Sequence, residues 1–260
     1  VRIDIAGSVE SISHITKEML YQCYNSFYQP SNLSLFIVGD VDPTGTIDWL
    51  NSFANELSFP SPSKVTKVSL KEPDGVKEER TSIKMSVSLP QLYLGYKVND
   101  SYMCGKDLLR TYMVSQMLME LFIGKGSKLY ESLYADGIID GSFDWQSEVE
   151  KKFSFLLMAG RTTDVDELER RLTEGVDDLL ENGVDREDFD RVKRQIMGAF
   201  IRGFNSLEYI TYNFLSYKLR GVSLLNSLEV ANSISAEEVD AFAREVMRED
   251  RKVVSTVMPA

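Results

Sequence analysis

Few side chains in this chain could take part in metal or nucleophilic chemistry, because it contains a single histidine, His14. His14 stands in the run Ser-Ile-Ser-His-Ile-Thr, just before a predicted helix. A hydrolytic zinc site of the H-x-x-E-H type needs two imidazole ligands on one helical face, with a glutamate between them as general base. One histidine cannot supply two imidazoles, so we predict no catalytic and no metal-binding residue here. We interpret His14 as a surface or helix-terminal residue.

The two cysteines and one pair of acids offer little further chemistry. Neither Cys23 nor Cys104 neighbours a candidate base in the sequence. Cys23 falls on the apolar side of a predicted helix and Cys104 near the start of another, which predicts buried free thiols. The lack of a disulfide framework favours a cytoplasmic location. Asp40 and Asp42 could bind a hard cation, but two acids in a turn are typical helix caps, and we predict caps.

The composition is that of an ordinary soluble globular protein, with 43% apolar and 27% charged residues among 260. The formal net charge of -11 argues against nucleic acid as a partner, because such binding needs clustered basic side chains. We predict that the acidic surface serves solubility, with an electrostatic preference for basic peptides as the alternative. No apolar run is long enough for a transmembrane helix, and no signal peptide is expected.

The first 60 residues contain too few elements to bury a core well. Residues 1–5 alternate like a short strand, and Thr16 is a plausible cap for a helix at 17–27. A continuous apolar run at 33–38 predicts a buried strand, and residues 44–57 have helical periodicity. We therefore interpret this segment as half of a domain.

A stretch rich in proline and lysine predicts a linker at 61–78 and a second domain at 79–260. The strands predicted in this second portion come in pairs and its helices in runs, which indicates an α+β fold with an antiparallel sheet packed with helices. The predicted strands lie at 81–89, 92–98, 138–148, 152–160 and 252–258. The predicted helices lie at 102–122, 128–134, 163–181, 185–204, 207–219 and 236–248. An aromatic row in the helix at 207–219 predicts core or interdomain packing.

Four short segments carry a resemblance to a known family. Gly7 to Ile15 reads Gly-Ser-x-Glu-Ser-Ile-x-x-Ile, Tyr28 to Leu33 reads Tyr-x-Pro-x-Asn-Leu, and Val38 to Asp42 reads Val-Gly-Asp-Val-Asp. Further along, Gly124 to Tyr130 reads Gly-x-Gly-Ser-x-Leu-Tyr. In this order and spacing the chain resembles the pitrilysin/insulinase family of inverzincin zinc metallopeptidases, and bacterial processing-protease-like members in particular. The likeness covers nearly the whole chain.

The resemblance implies two similar α+β domains of the ferredoxin-like, two-layer kind. Residues 1–60 would be the C-terminal half of the first domain and residues 79–260 the second. In the family the H-x-x-E-H zinc site lies well upstream of the Gly-Ser-x-Glu-Ser-Ile segment, so this chain would be a C-terminal portion that holds no cofactor. Zinc would be bound in the missing upstream domain. We expect the chain to be inactive alone.

The resemblance also points to two candidate substrate-binding residues, Tyr134 and Asp140. Many family members carry an arginine and a tyrosine, seven residues apart, that help to hold the scissile peptide. Tyr134 stands near the expected arginine and Asp140 near the expected tyrosine, so neither identity is kept. A tyrosine cannot replace the bidentate clamp of an arginine, which puts this role in doubt. Simple packing of Tyr134 at the end of a short helix is the alternative.

Three functions remain open at this point. The chain could be the C-terminal part of an active zinc endopeptidase, forming the second half of a chamber that encloses peptide substrates. It could instead be a non-catalytic subunit that pairs with a metal-bearing partner. The third option is a structural or assembly protein that kept the fold and lost the chemistry. Expected partners are peptides and an N-terminal metal-bearing domain or subunit, with a homodimer or heterodimer left open and no membrane contact.

Overall fold

The computed structural model describes residues 5–56, 73, 75–98 and 104–260. The chain divides into two compact units, Val1–Leu70 and Lys71–Ala260. The strand predicted at 1–5 and much of the linker predicted at 61–78 lie outside the described residues. None of the described helices is both long and apolar enough to cross a membrane.

The first unit contains three described helices, which begin at capping side chains. They are α1 (Val9–Ser13), α2 (Lys17–Phe27) and α3 (Pro43–Glu56), with one 3-10 turn at Pro30–Asn32. The Thr16 hydroxyl accepts a hydrogen bond from the Met19 amide at 3.3 Å, which confirms Thr16 as the cap of α2. Asp42 accepts hydrogen bonds from the Thr44 and Gly45 amides at 3.1 and 3.0 Å, so it caps the start of α3 as predicted.

The buried strand predicted at 33–38 is not observed. Leu33 has extended backbone angles, but residues 33–38 are not assigned to any strand among the described residues. Leu33 and Leu35 remain 59% and 66% exposed. These exposed side chains contradict the burial that was predicted for the segment.

The second unit is built from a five-stranded sheet and seven helices among its described residues. Its strands are β1 (Arg80–Met85), β2 (Gln91–Val98), β3 (Asp144–Val149), β4 (Ser154–Arg161) and β5 (Lys252–Pro259). Its helices are α4 (Gly105–Ile123), α5 (Lys128–Ala135), α6 (Val165–Asn182), α7 (Arg186–Gly203), α8 (Leu207–Arg220), α9 (Asn226–Ser233) and α10 (Ala236–Val246). The α+β fold class predicted from the sequence is confirmed.

The strand order is β1-β5-β2-β4-β3. All neighbours are antiparallel except β1 and β5, which are parallel, so the sheet is not antiparallel throughout. Helix α9 was not predicted, because no side chain caps its first turn and its N-cap is Leu225. The strand predicted at 138–148 begins only at Asp144, since a turn precedes it and a single bridge joins Ile139 to Thr162.

One face of the sheet forms the core with the helices. Along β2, Leu92 and Leu94 are fully buried, whereas Tyr93 between them is 36% exposed. This alternation is the period of a strand that is covered on one face. Helix α4 lies at the centre of the helical layer and contacts β3, α7, α9 and α10. Gly124 ends α4, where an added Cβ would lie 2.4 Å from the Glu120 carbonyl oxygen.

Candidate functional site

The residues that the structure describes do not assemble a zinc site. His14 lies on the surface at the end of α1, with Nδ1 2.6 Å from the Glu10 carbonyl oxygen. Because a carbonyl oxygen can only accept, Nδ1 carries the hydrogen of this bond. Across the ranges that the structure describes, no three His, Cys, Asp or Glu side chains come together as a possible metal-binding group. The interpretation of His14 as a surface residue is confirmed.

The two cysteines are free, as predicted, but they are not buried. Both Cys23 and Cys104 are exposed, so the prediction of buried thiols is wrong. Cys23 lies on the apolar stripe of α2, and that stripe has no buried residue among the described ones. Cys104 is the N-cap of α4, where its side chain makes no capping hydrogen bond.

The candidate substrate-binding residue Tyr134 lies in the last turn of α5. Ser127 caps this helix by accepting a hydrogen bond from the Tyr130 amide at 3.1 Å. The Tyr134 ring stacks on the ring of buried Tyr130, with centroids 6.2 Å apart and planes within 9°. Tyr134 itself is 57% exposed. The stacking holds one side of the ring against α5 and leaves much of the rest accessible to a ligand.

The turn after α5 is held in place by the end of β4. The Ile138 amide donates to the Leu133 carbonyl at 3.0 Å, which closes the helix. The Thr162 hydroxyl donates to the Ile138 carbonyl at 2.9 Å, and the Thr163 hydroxyl donates to the Gly137 carbonyl at 3.0 Å. These bonds position residues 137–140 from a segment more than twenty residues away in the chain.

The second candidate residue, Asp140, is already paired. Its carboxylate lies 2.9 Å from Arg161 Nη2 and accepts a hydrogen bond from the Ser142 amide at 2.8 Å. Hydrogen bonds from Ser142 hold the pKa of the Asp140 carboxyl below its usual value, and the charge of Arg161 lowers it further. The Arg161 Nε also donates to the Ser142 hydroxyl at 3.2 Å. Asp140 therefore stays ionised and is suited to binding, not to proton transfer.

Arg161 is the residue of this region that the sequence did not reveal. Its side chain is 47% exposed, and one face of its guanidinium is taken by Asp140 and Ser142. Only the pairing of β3 with β4 and the Ile139–Thr162 bridge bring it to this turn. Among the described contacts, none joins Tyr134 directly to Asp140. The region presents an exposed phenol and a neutralised ion pair, groups that can hydrogen-bond a peptide.

Comparison with known proteins places this geometry in a family. Residues 14–196 match the family described as Peptidase M16 inactive domain. The chain is 36% identical, over 261 aligned residues, to the uncharacterized zinc protease YmfH of Bacillus subtilis (strain 168). The alignment covers 100% of this chain and 60% of YmfH, so the chain spans about three fifths of that relative.

Solved structures agree with the sequence match. The chain superposes on an M16-like peptidase from Alicyclobacillus acidocaldarius with a TM-score of 0.93 at 30% identity, covering 100% of this chain and 62% of that one. A chain of complex III2 from Candida albicans shares the fold, with a TM-score of 0.73 at 14% identity over 98% of this chain and 62% of that one. The resemblance to the zinc metallopeptidases is confirmed: the chain belongs to the M16 peptidase family and carries its inactive, non-catalytic half.

Proposed function

We propose that the chain works as the non-metal-binding portion of a zinc-dependent peptidase and forms the second half of a chamber that encloses peptides. The observation that carries the proposal is the match to the M16 inactive domain in a chain with one imidazole. An M16 chain without the two histidines of H-x-x-E-H must obtain its zinc chemistry from another polypeptide segment.

We propose further that residues 1–60 are the C-terminal half of a first domain, residues 61–78 a linker and residues 79–260 the second domain. Exposed apolar side chains in the first unit support this division. Tyr24 is 57% exposed, Trp49 63% and Leu35 66%. Burying one large apolar side chain stabilises a fold by roughly 1.5–3 kcal/mol, so these faces favour a covering segment. A metal-bearing N-terminal portion would supply that cover.

Within the second domain, Tyr134 and Asp140 would contact the bound peptide. An exposed phenol hydroxyl can donate to a peptide carbonyl or accept from a peptide amide. Asp140 would act through its pair with Arg161, which orients the guanidinium at the end of β4. Free cysteines at positions 23 and 104 are consistent with a reducing, cytoplasmic location.

A structural or subunit role is the second candidate function. The likeness to a chain of complex III2 favours it, since that protein has the same fold within a large assembly. In this case the chain would pair with another subunit and lend it surface without taking part in hydrolysis.

The test begins with the purified 260-residue chain. We expect far less than one zinc per chain by elemental analysis and no chelator-sensitive cleavage of fluorogenic peptides. One tightly bound zinc per chain, or cleavage that a chelator abolishes, would overturn the proposal. Sequencing the gene upstream of Val1 then separates the two candidate functions. An H-x-x-E-H motif in the same polypeptide supports the peptidase, and its absence from that polypeptide supports the subunit role.

A further inference from the structure

The second unit contains a cavity of about 180 Å³ that lies away from Tyr134 and Asp140. Residues of α4, β3 and α8 line it, and it is partly open to solvent. Its apolar wall consists of Leu108, Leu109, Val149 and Val222. Cavities of about 150 Å³ hold a small organic molecule, so this one has room for a single long side chain.

Most of the charged groups at the cavity already have partners. Arg220 Nε donates to Glu150 Oε1 at 3.1 Å, its Nη2 contacts the same carboxylate, and its Nη1 contacts the Ser216 hydroxyl. Glu150 therefore neutralises Arg220. The Ser147 hydroxyl is paired with the Ser115 hydroxyl at 2.5 Å. These groups build the walls of the cavity and leave little capacity for an anionic ligand.

Glu148 also lines the cavity, and the pairing of Arg220 with Glu150 does not cancel its negative charge. Its Oε1 accepts one hydrogen bond, from Gln146 at 3.0 Å, and its charge acts on Tyr112 and on Arg220, although no salt bridge to it within 4.0 Å is found among the described residues. An ionised carboxylate has room for several hydrogen bonds on its two oxygens. With Arg220 and Glu150 cancelling each other, the cavity has a net charge of about one negative unit.

Tyrosine rings complete the lining. Burial raises the pKa of Tyr112 to about 12, and burial also raises the pKa of Tyr217, so both phenols stay neutral. Tyr212 lies at the rim and is 75% exposed. Aromatic faces attract ammonium groups, and this attraction adds to that of a nearby carboxylate. Of the aromatic row predicted in α8, Tyr217 packs against the core and also lines the cavity, whereas the core packing predicted for Tyr212 is not observed.

We propose that this cavity binds the side chain of a lysine residue in a peptide. The methylene stem would lie along the leucines and valines, as long basic side chains do on apolar surfaces. The ammonium group would meet Glu148 and the rings of Tyr112 and Tyr217. The inference goes beyond the proposed peptidase role and does not depend on it, because it needs neither zinc nor a partner domain.

The experiment is an NMR titration of the ¹⁵N-labelled 260-residue chain at low ionic strength, with Nα-acetyl-L-lysine methylamide as the probe. The matched ligands are the norleucine analogue, which keeps the stem without the charge, and the glutamate analogue, which reverses the charge. The amides of residues 147–149 report on the cavity. A ligand of this size is expected to bind with a dissociation constant in roughly the millimolar range.

We expect the lysine probe to bind about tenfold more tightly than the norleucine analogue, and Glu148→Gln to remove most of that difference. Glu131→Gln, on α5 and outside the lining of the cavity, is the matched control and should leave the affinity unchanged. Tyr112→Phe keeps the ring and should weaken binding less than Glu148→Gln does. The proposal is overturned if the norleucine or glutamate analogue binds as tightly as lysine, if the two glutamate variants behave alike, or if saturating probe leaves the reporting amides unshifted.

Discussion

Replacing Gly160 with alanine should destabilise the second unit, because the added methyl group would overlap with Phe143. Gly160 lies in β4 opposite the fully buried Leu92, so its missing side chain points to the covered face of the sheet. An added Cβ would lie 2.5 Å from Phe143 Cα and 2.9 Å from Phe143 Cβ. Its φ is not positive, so the backbone conformation itself suits alanine. Phe143 is fully buried, so the overlap falls inside the packed core.

The expected loss of stability follows from the overlap between the new methyl group and Phe143. Inserting one methyl group into a packed core typically costs 1–3 kcal/mol, and a contact with main-chain atoms belongs in the upper half of that range. We expect a loss of about 2 kcal/mol in the free energy of unfolding. For a urea dependence of about 2 kcal/mol per molar, the unfolding midpoint falls by about 1 M.

Tryptophan fluorescence can follow this unit alone. The chain has two tryptophans, and a Trp49→Phe background leaves only Trp145, in β3 next to the affected turn. Gly198→Ala is the matched control, because Gly198 lies inside α7 with no atom within 4 Å of an added Cβ. It should raise stability by roughly 0.5–1 kcal/mol, as alanine does in a helix interior. A midpoint for Gly160→Ala equal to or above that of the parent would refute the steric reasoning.

Three further predictions concern other parts of the chain. Arg110 Nε and Nη2 contact both carboxylate oxygens of Glu238, at 2.6 and 2.5 Å, and tie α4 to α10. Both side chains are about one third exposed, so solvent weakens their attraction. A double-mutant cycle of Arg110→Ala and Glu238→Ala, measured by urea unfolding, should give a coupling free energy of only about 0.5–1 kcal/mol. A coupling free energy of zero would contradict the pairing. Burial raises the pKa of Tyr112 from 10.0 to about 12, so the unfolded chain loses this proton first and stability falls between about pH 10 and 12. In Tyr112→Phe, the melting temperature should fall less steeply between these pH values than in the parent. An unchanged slope of melting temperature against pH would show that Tyr112 does not cause the loss of stability. Trp49 is exposed on α3, so Trp49→Ser should lower the binding of a hydrophobic dye. The unfolding midpoint of the second unit should not change. Dye binding equal to that of the parent would argue against an accessible apolar face on α3.

The positions of most helices could be predicted because their signals are local. Thr16 was predicted as a cap and accepts a hydrogen bond from the amide three residues ahead, and Asp185 and Ser235 cap α7 and α10 in the same local way. Asp164 likewise accepts the amide hydrogen bonds of the first turn of α6, so the helix predicted at 163–181 begins at Val165. Helix α9 has no such cap, and for that reason the sequence did not reveal it.

The candidate binding region was only partly predictable. Tyr134 and Asp140 came from a family resemblance, and the structure adds the ion pair between Asp140 and Arg161. No sequence spacing indicates that pair, because it depends on the register of β3 against β4. The cavity beneath α8 was likewise invisible in the sequence, where the same tyrosines had the spacing of a packed helix face.

The sequence by itself determined that this chain is a member of its peptidase family and that these 260 residues cannot supply the two histidines of an H-x-x-E-H zinc site. Both conclusions depend on residue identity and order, which do not change on folding. Only the tertiary structure decided that β1 lies parallel to β5, that Leu33 and Leu35 stay exposed, and that Arg161 reaches Asp140. These outcomes depend on which distant segments meet. Such meetings are set by the packing of whole elements, whereas caps and strand alternation are set within a few residues.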